Sequence, residues 1–212
     1  MGYRNRVKIC GMTRPEDAVE AARLGVDAIG LVFYEKSPRN VSLQQAQLIC
    51  DALPGFVTIV ALFMDPDAGL VKRVLETCPV DLIQFHGKEL AEFCESFNRP
   101  YIKAVGMADG TDLSEFTGRY TKAKGWLLDS HAVGDAGGTG EVFNWENIPE
   151  HYRQSIILAG GLKPDNVAEA ILKVRPYALD LSSGVESAPG IKDAALMAKL
   201  MNEVKRIDCE QG

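Results

Sequence analysis

Short apolar segments rich in β-branched residues alternate with stretches of helical periodicity from one end of this 212-residue chain to the other. Apolar runs of this length are typical of strands that are buried on both faces, as in parallel sheets. The predicted strands are Val7–Cys10, Ala28–Phe33, Val57–Phe63, Leu82–Phe85, Tyr101–Val105, Trp126–Asp129, Ile156–Ala159 and Ala178–Ser182. The predicted helices are Pro15–Leu24, Leu43–Leu53, Asp67–Thr77, Glu89–Phe97, Pro164–Val174 and Asp193–Lys205, with weaker signals at Thr111–Tyr120 and Trp145–His151.

Two of these helices start with the pattern of a capping box, in which a Ser or Thr precedes Glu or Gln by three residues. Thr13 and Glu16 stand in this relation before the first helix, and Ser42 and Gln45 before the second. We therefore predict that both hydroxyls cap a helix.

Eight strand–helix units in 212 residues leave about 26 residues per unit, which is close to the minimum for an eight-fold barrel. The sequence predicts an α/β fold, a single-domain (β/α)8 TIM barrel that spans residues 1–212. An open doubly wound sheet is the alternative. That fold would place a glycine-rich G-x-G-x-x-G turn after the first strand, whereas the segment 8–13 contains a single glycine, Gly11.

Charge and cysteine content narrow the possible partners. The 29 acidic and 23 basic residues give a net charge of −6, which offers no general attraction for nucleic acid or anionic membranes. The longest apolar run, Phe56–Met64, is too short to span a bilayer, and the N-terminus lacks the apolar core of a signal peptide. Five cysteines without a C-x-x-C pair favour a reducing compartment. We expect a cytoplasmic protein with no nucleic-acid or membrane partner.

Glycine-rich sequences follow the last two predicted strands, which are neighbours in a barrel. Gly160 and Gly161 follow the seventh strand, and Ser183 and Gly184 follow the eighth. Loops at these two positions usually bind phosphate in this fold, because their backbone N–H groups approach the anion closely. Tight turns alone are the alternative explanation, but the two motifs together favour a small phosphorylated substrate.

Two residues with acid–base chemistry end the strands on either side of this pair. Cys10 ends the first strand and Asp129 ends the sixth, so in a closed barrel they would flank a bound sugar phosphate. Such a pair suits proton transfer at two positions of one ligand. Alternatively, Cys10 is a small buried hydrophobic residue and Asp129 is a turn former or a helix cap.

Other polar residues at strand ends add to the site. Arg39, beside the rigid Pro38, is a candidate to bind a carboxylate through its guanidinium fork. Gln84 and His86 share a parity on the fourth strand and are predicted to face the barrel axis as a satisfied polar pair. The glycine-rich segment 137–140 is flexible enough for a lid.

Six sequence motifs resemble the phosphoribosylanthranilate isomerase family, occur in its order and span nearly the whole chain. They are Lys8-Ile9-Cys10-Gly11, Phe33-Tyr34-x-Lys36-Ser37-Pro38-Arg39, Gln84-Phe85-His86-Gly87, Gly137-Gly138-Thr139-Gly140, Gly160-Gly161-Leu162 and Ser182-Ser183-Gly184-Val185-Glu186. One departure is Asn144, where similar sequences tend to carry Asp before a Trp.

The resemblance implies an Amadori rearrangement of N-(5-phosphoribosyl)anthranilate to 1-(o-carboxyphenylamino)-1-deoxyribulose 5-phosphate in tryptophan biosynthesis. It further implies that Cys10 is the general base, that Asp129 is the general acid, and that Arg39 binds the anthranilate carboxylate. The glycine-rich ends after the last two strands would hold the phosphate. No cofactor and no metal are expected, and the chain would act as a monomer or homodimer.

This chemistry sets requirements for two pKa values. A dry site and a nearby phosphate dianion would keep Asp129 partly protonated. For Cys10 we expect some lowering of the thiol pKa, assisted by Gly11 and by the helix that begins near Pro15.

Three other functions are compatible with a barrel of this kind. Lys103 on the fifth strand is a candidate Schiff-base nucleophile of an aldolase-type enzyme. Metal-dependent epimerisation of a sugar phosphate is disfavoured, because the chain has only three histidines and two of them lie in predicted loops. The third is a barrel that binds a phosphorylated ligand without catalysis.

Overall fold

The computed structural model describes residues 4–107, 111–130 and 143–211, and its centre is a closed barrel of eight parallel strands. Each strand pairs with the next in sequence, and the eighth pairs with the first. The strands are β1 (Arg6–Cys10), β2 (Ala28–Phe33), β3 (Thr58–Phe63), β4 (Leu82–Phe85), β5 (Tyr101–Gly106), β6 (Trp126–Asp129), β7 (Ile156–Leu158) and β8 (Ala178–Leu181). The predicted barrel is confirmed; that the domain extends over residues 1–212 stays a prediction.

Helices connect the strands on the outside of the barrel. They are α1 (Pro15–Leu24), α2 (Leu43–Ala52), α3 (Ala68–Thr77), α4 (Ala91–Glu95), α5 (Leu113–Arg119), α6 (Val167–Val174) and α7 (Ala194–Gln211). Between β6 and β7, the described residues form two 3₁₀ segments, Trp145–Asn147 and Glu150–Ser155, where the helical signal was weak. None of the helices in the described ranges has the length and apolar character needed to cross a membrane.

A short antiparallel hairpin follows the barrel and was not predicted. Its strands are β9 (Glu186–Ala188) and β10 (Ile191–Lys192), and they lie between β8 and α7. This hairpin brings two charged side chains, Glu186 and Lys192, to the end of the barrel where the strands finish.

The two predicted capping boxes have different outcomes. Ser42 caps α2 as predicted, because its hydroxyl accepts from the N–H of Gln45 and the Gln45 side chain accepts from the N–H of Ser42. The prediction for Thr13 is wrong: Arg14 is the N-cap of α1, and no side chain caps it. The Thr13 hydroxyl instead donates to the carbonyl oxygen of Gly190, and so ties α1 to the hairpin loop.

Side-chain parity separates the hydrophobic core from the functional interior. Outward-facing strand residues pack against the helices in one large core, where Phe63 stacks on Phe33 with ring centroids 5.5 Å apart. A much smaller apolar cluster lies inside the barrel. Its members are Ile102, Ala104, Leu127 and Ala159, with Leu82 and Ile157 packed against them. Above this cluster, polar side chains such as Gln84, Asp129 and Asp180 stand beside apolar ones such as Val32 and Leu62.

Candidate active site

An open cavity of about 130 Å³ lies at the end of the barrel where the strands finish. Six of the seven predicted site residues line it: Cys10, Arg39, Asp129, Gly160, Gly161 and Ser183. The other polar side chains in its wall are Tyr34, Ser37, Gln84, His86, Asp180 and Ser182. The structure therefore places the thiol of β1 and the carboxyl of β6 in one cavity, beside the glycine-rich loops that follow β7 and β8.

Cys10 stands in a buried and charged environment. Lys8, two residues earlier on the same strand, donates from Nζ to Oδ1 of Asp180 at 2.8 Å, and both side chains are less than one-tenth exposed. Burial raises the pKa of Cys10, and this outweighs the opposing effects of the Lys8 and Lys192 ammonium groups. The expected lowering of the thiol pKa is therefore wrong, because Cys10 is buried and the negative charge of Asp180 also disfavours the thiolate.

Asp129 faces a histidine that is held from behind by an amide. His86 Nε2 lies 3.6 Å from Asp129 Oδ2, and Gln84 Nε2 lies 3.1 Å from His86 Nδ1. An amide nitrogen can only donate, so His86 Nδ1 accepts and the ring carries its proton on Nε2, towards Asp129. Burial lowers the pKa of His86, which keeps the ring neutral. The predicted pairing of Gln84 with His86 is confirmed, but the prediction that the pair is satisfied is wrong, because Gln84 Oε1 has no partner among the described residues.

Arg39 is held by a buried ion-pair network that the sequence did not reveal. Its Nε and Nη2 donate to the two carboxylate oxygens of Glu186 at 2.8 and 2.7 Å. Lys192, whose side chain is fully buried, donates to the same carboxylate at 2.7 Å and to the carbonyl oxygen of Ser182 at 3.2 Å. The Arg39 guanidinium is thus already bound to a carboxylate of the protein. It has five N–H donors, however, and keeps several of them for a ligand.

This network also holds the charge on Glu186. Burial alone would raise the pKa of Glu186, but Arg39 and Lys192 outweigh that effect and the pKa is lowered. The carboxylate therefore stays charged and keeps Arg39 in one orientation. Arg39 and Glu186 are 147 residues apart in sequence, and no local pattern predicts their contact.

The loop after β7 needs its glycines for geometry. Gly160 and Gly161 have φ angles of 81° and 62°, in the left-handed region that favours glycine. A Cβ at Gly160 would lie 2.6 Å from the backbone nitrogen of Ser130, so the loop also requires a residue without a side chain. Both glycines line the cavity and have no side chains, so a ligand can approach the backbone closely here.

The loop after β8 contributes Ser183 to the cavity wall, but Gly184 does not line it. A Cβ at Gly184 would lie 2.0 Å from the carbonyl oxygen of Leu162, so tight packing between the two loops accounts for this glycine. Gly184 therefore supports the site by letting these loops approach each other.

Lys103 lies outside the cavity. It points outwards from β5, is completely buried, and donates from Nζ to Glu89 at 2.7 Å and to the carbonyl oxygen of Gly87 at 2.6 Å. A ligand in the barrel cannot reach an amine in this position, so the aldolase alternative is not supported. Across the three described ranges, no group of three His, Cys, Asp or Glu side chains is arranged to hold a metal.

The predicted lid at 137–140 lies outside the described residues. Downstream of it, Asn144 caps the first 3₁₀ segment, with its side-chain oxygen accepting from the N–H of Glu146 at 3.0 Å. An aspartate makes the same kind of cap, so this departure from the family pattern leaves the local structure intact.

Comparison with known proteins identifies relatives over nearly the whole chain. A family model described as N-(5'phosphoribosyl)anthranilate (PRA) isomerase matches residues 7–203. The chain is 50% identical over 205 residues to the N-(5'-phosphoribosyl)anthranilate isomerase of Nitrosococcus oceani, covering 97% of this chain and 100% of that protein. It is 52% identical to the enzyme of the same name from Halorhodospira halophila, covering 97% and 99%.

Solved structures with these names have the same fold. Phosphoribosyl anthranilate isomerase from Thermotoga maritima is similar with a TM-score of 0.86 and 38% identity, covering 95% of this chain and 99% of that one. A phosphoribosyl anthranilate isomerase in complex with reduced 1-(o-carboxyphenylamino)-1-deoxyribulose 5-phosphate gives a TM-score of 0.84 at 36% identity, with the same coverage.

Proposed function

The chain belongs to the N-(5'-phosphoribosyl)anthranilate isomerase family and isomerises N-(5'-phosphoribosyl)anthranilate in tryptophan biosynthesis, and we propose that Cys10 and Asp129 carry out the reaction as general base and general acid. The observation that carries this proposal is that the thiol and the carboxyl line one cavity, together with the Arg39 guanidinium and the glycine-rich loop after β7. An aminosugar phosphate with an aromatic carboxylate has a group to match each of these four features of the cavity.

Asp129 begins the reaction by protonating the ring oxygen of the ribose. The C1–O bond then breaks, and the nitrogen lone pair forms a protonated Schiff base at C1. His86 supports this step, because its neutral ring points Nε2–H at Oδ2 of Asp129 from 3.6 Å and stabilises the carboxylate that remains.

Cys10 completes the isomerisation by taking the proton from C2, which the adjacent Schiff base makes acidic. The C–H electron pair forms a C1–C2 double bond and neutralises the nitrogen, which gives an enolamine that tautomerises to the ketone. Burial raises the pKa of Cys10, so the free site holds mostly thiol. The cationic Schiff base formed in the first step provides the charge that stabilises the thiolate.

The two ends of the substrate are bound by separate groups. Arg39, fixed by Glu186, presents its remaining N–H donors to the anthranilate carboxylate. The backbone N–H groups of Gly160, Gly161 and Ser183 bind the phosphate, and Gly184 allows the two loops to approach closely. The scissile ring then lies between Cys10 and Asp129. No metal or cofactor is required for these steps.

A fluorescence assay that follows the loss of phosphoribosylanthranilate generated in place tests this assignment. Cys10→Ala and Asp129→Asn are each expected to lower turnover by at least about 10²-fold with the fold intact. Matched controls are Cys94→Ala, a buried cysteine outside the cavity, and Asp165→Asn, an aspartate at the protein surface. Full activity in either site variant would remove that residue from the mechanism.

A reduced Cys10 is essential to this proposal, so we place the enzyme in the cytoplasm, where thiols persist. All five cysteines are free in the structure. The enzyme acts as a monomer or a homodimer; one structural relative is described as generated monomers of the dimeric phosphoribosylanthranilate isomerase from Thermotoga maritima.

A further inference from the structure

Gln84 is a polar side chain whose hydrogen bonding is only half satisfied by the protein. It is completely buried on β4 and lines the cavity. Its amide nitrogen donates to His86 Nδ1 at 3.1 Å, but among the described residues no donor meets its carbonyl oxygen Oε1. A buried acceptor without a donor is costly, so such groups in a native structure point to a ligand or to a strained site.

The proposed function leaves two hydroxyls of the sugar, at C2 and C3, without a protein partner. In the assignment above, the ring oxygen faces Asp129, the C2 hydrogen faces Cys10, and the phosphate and the carboxylate have their own sites. The 2-hydroxyl becomes the ketone oxygen. The 2-hydroxyl therefore loses its proton, whereas the 3-hydroxyl is an O–H donor from substrate to product.

We propose that Gln84 Oε1 accepts a hydrogen bond from the substrate's 3-hydroxyl and makes the site selective for sugars that carry this group. The inference rests on the proposed function, since it uses the placement of the sugar between Cys10 and Asp129. β4 lies opposite β8 in the eight-strand order, so Gln84 faces the side of the barrel that holds the phosphate loops. From there it contacts the sugar on the face away from those loops.

Asp180 is the competing acceptor in the cavity wall. Its Oδ1 already accepts from the Lys8 ammonium at 2.8 Å, so its negative charge is compensated without a ligand. The Gln84 oxygen has no such partner in the described part of the chain. A hydroxyl donor therefore gains more by binding to Gln84 than by binding to an aspartate that is already paired.

The role of Gln84 can be isolated with two ligands and one isosteric variant. The ligands are reduced 1-(o-carboxyphenylamino)-1-deoxyribulose 5-phosphate and the same compound without its 3-hydroxyl, with Kd measured by calorimetry. The wild-type chain should bind the hydroxylated ligand roughly tenfold or more tightly than the deoxy ligand. In Gln84→Met, which keeps the side-chain length without an acceptor oxygen, this preference should disappear, while the deoxy ligand binds within about twofold of wild type.

Two further variants separate a direct contact from an effect through His86. His86→Ala removes the partner of the amide nitrogen and should keep the preference for the hydroxylated ligand. Gln84→Glu keeps an acceptor oxygen at the same reach and should also keep it, which provides a test if Gln84→Met fails to fold. Equal weakening of both ligands in Gln84→Met, or a lost preference in Gln84→Glu, would overturn the proposal.

The same measurements distinguish failure of this inference from failure of the proposed function. A wild-type chain that binds both ligands equally and turns over phosphoribosylanthranilate refutes only the role of Gln84. Full turnover in Cys10→Ala or Asp129→Asn refutes the proposed function, whether or not the wild-type chain prefers the hydroxylated ligand.

Discussion

Replacing Asp180 and replacing Lys8 should change the reactivity of Cys10 in opposite directions. The Asp180 carboxylate raises the pKa of Cys10, and the Lys8 ammonium lowers it. Asp180→Asn removes the negative charge and leaves the ammonium to pair with the thiolate, so the pKa of Cys10 should fall. Lys8→Met removes the positive charge and leaves a carboxylate near the thiol, so the pKa should rise.

The size of the effect follows from the burial of the pair. Two unit charges at about 4 Å interact by about 4 kcal/mol at an effective dielectric constant near 20, and about 1.4 kcal/mol changes a population tenfold. Lys8 and Asp180 are less than one-tenth exposed, so solvent screens them weakly. We therefore expect each substitution to change the thiolate fraction of Cys10 at neutral pH by at least about tenfold, with opposite signs.

Alkylation by iodoacetamide measures this fraction directly, because the thiolate is the reacting form. The rate at Cys10 would be followed against pH by mass spectrometry of its peptide, in a Cys209→Ser background that removes the exposed cysteine. Both variants also break a buried ion pair, which costs about 3–5 kcal/mol and lowers Tm by about 6–20 °C. We expect both variants to have a lower Tm, with the alkylation rate of Cys10 raised in Asp180→Asn and lowered in Lys8→Met. Shifts of the same sign would refute the charge argument.

Three further predictions follow from contacts in the cavity. Glu186→Asp keeps the negative charge, but its shorter side chain cannot reach both nitrogens of Arg39. In steady-state assays KM should therefore rise about tenfold, while kcat changes less than about threefold. Glu169→Gln, on an exposed helix face, is the control. Burial depresses the pKa of His86 below 6.5, so the unfolded chain takes up a proton at a higher pH than the native chain does. The free energy of unfolding should therefore fall as the pH drops below about 6.5. His86→Gln should reduce this loss in thermal unfolding scans at about pH 7 and about pH 5. Gly160→Ala places a Cβ 2.6 Å from a backbone nitrogen and should weaken phosphate-bearing ligands in calorimetry; equal affinity would contradict the phosphate assignment.

The sequence predicted the strands better than the contacts between their ends. Apolar runs such as Ala28–Phe33 and Leu82–Phe85 coincide with the observed strands, because burial on both faces leaves a clear pattern. Helix limits were predicted less accurately: α6 begins at Val167 rather than Pro164, and α4 covers only Ala91–Glu95 of the predicted Glu89–Phe97. Glu89 itself leaves the helix because its carboxylate binds backbone N–H groups and Lys103.

The site was predicted as a set of residues but not as a network. Strand order alone places Cys10, Asp129 and the glycine-rich loops at one end of a barrel, and the structure brings them to one cavity. The pKa of Cys10 could not be predicted, because it depends on burial and on Asp180 from a distant strand. The contact between Glu186 and Arg39 was missed because Glu186 lies on a hairpin whose first strand has only three residues, too few to show a strand pattern in the sequence.

The two faces of each strand have different roles, and this explains how the barrel tolerates so many buried charges. The large apolar core lies between the strands and the helices, where Ile9, Leu31, Phe63 and their neighbours are completely or almost completely buried. Stability therefore depends mainly on the outer layer. The inner apolar cluster is small and fills only the lower part of the barrel. Above it, charged and polar side chains can be selected for chemistry, provided that each has a partner, as Lys8 has in Asp180 and Lys192 has in Glu186. The carbonyl oxygen of Gln84 departs from this rule, and that departure is why we assign it to the substrate.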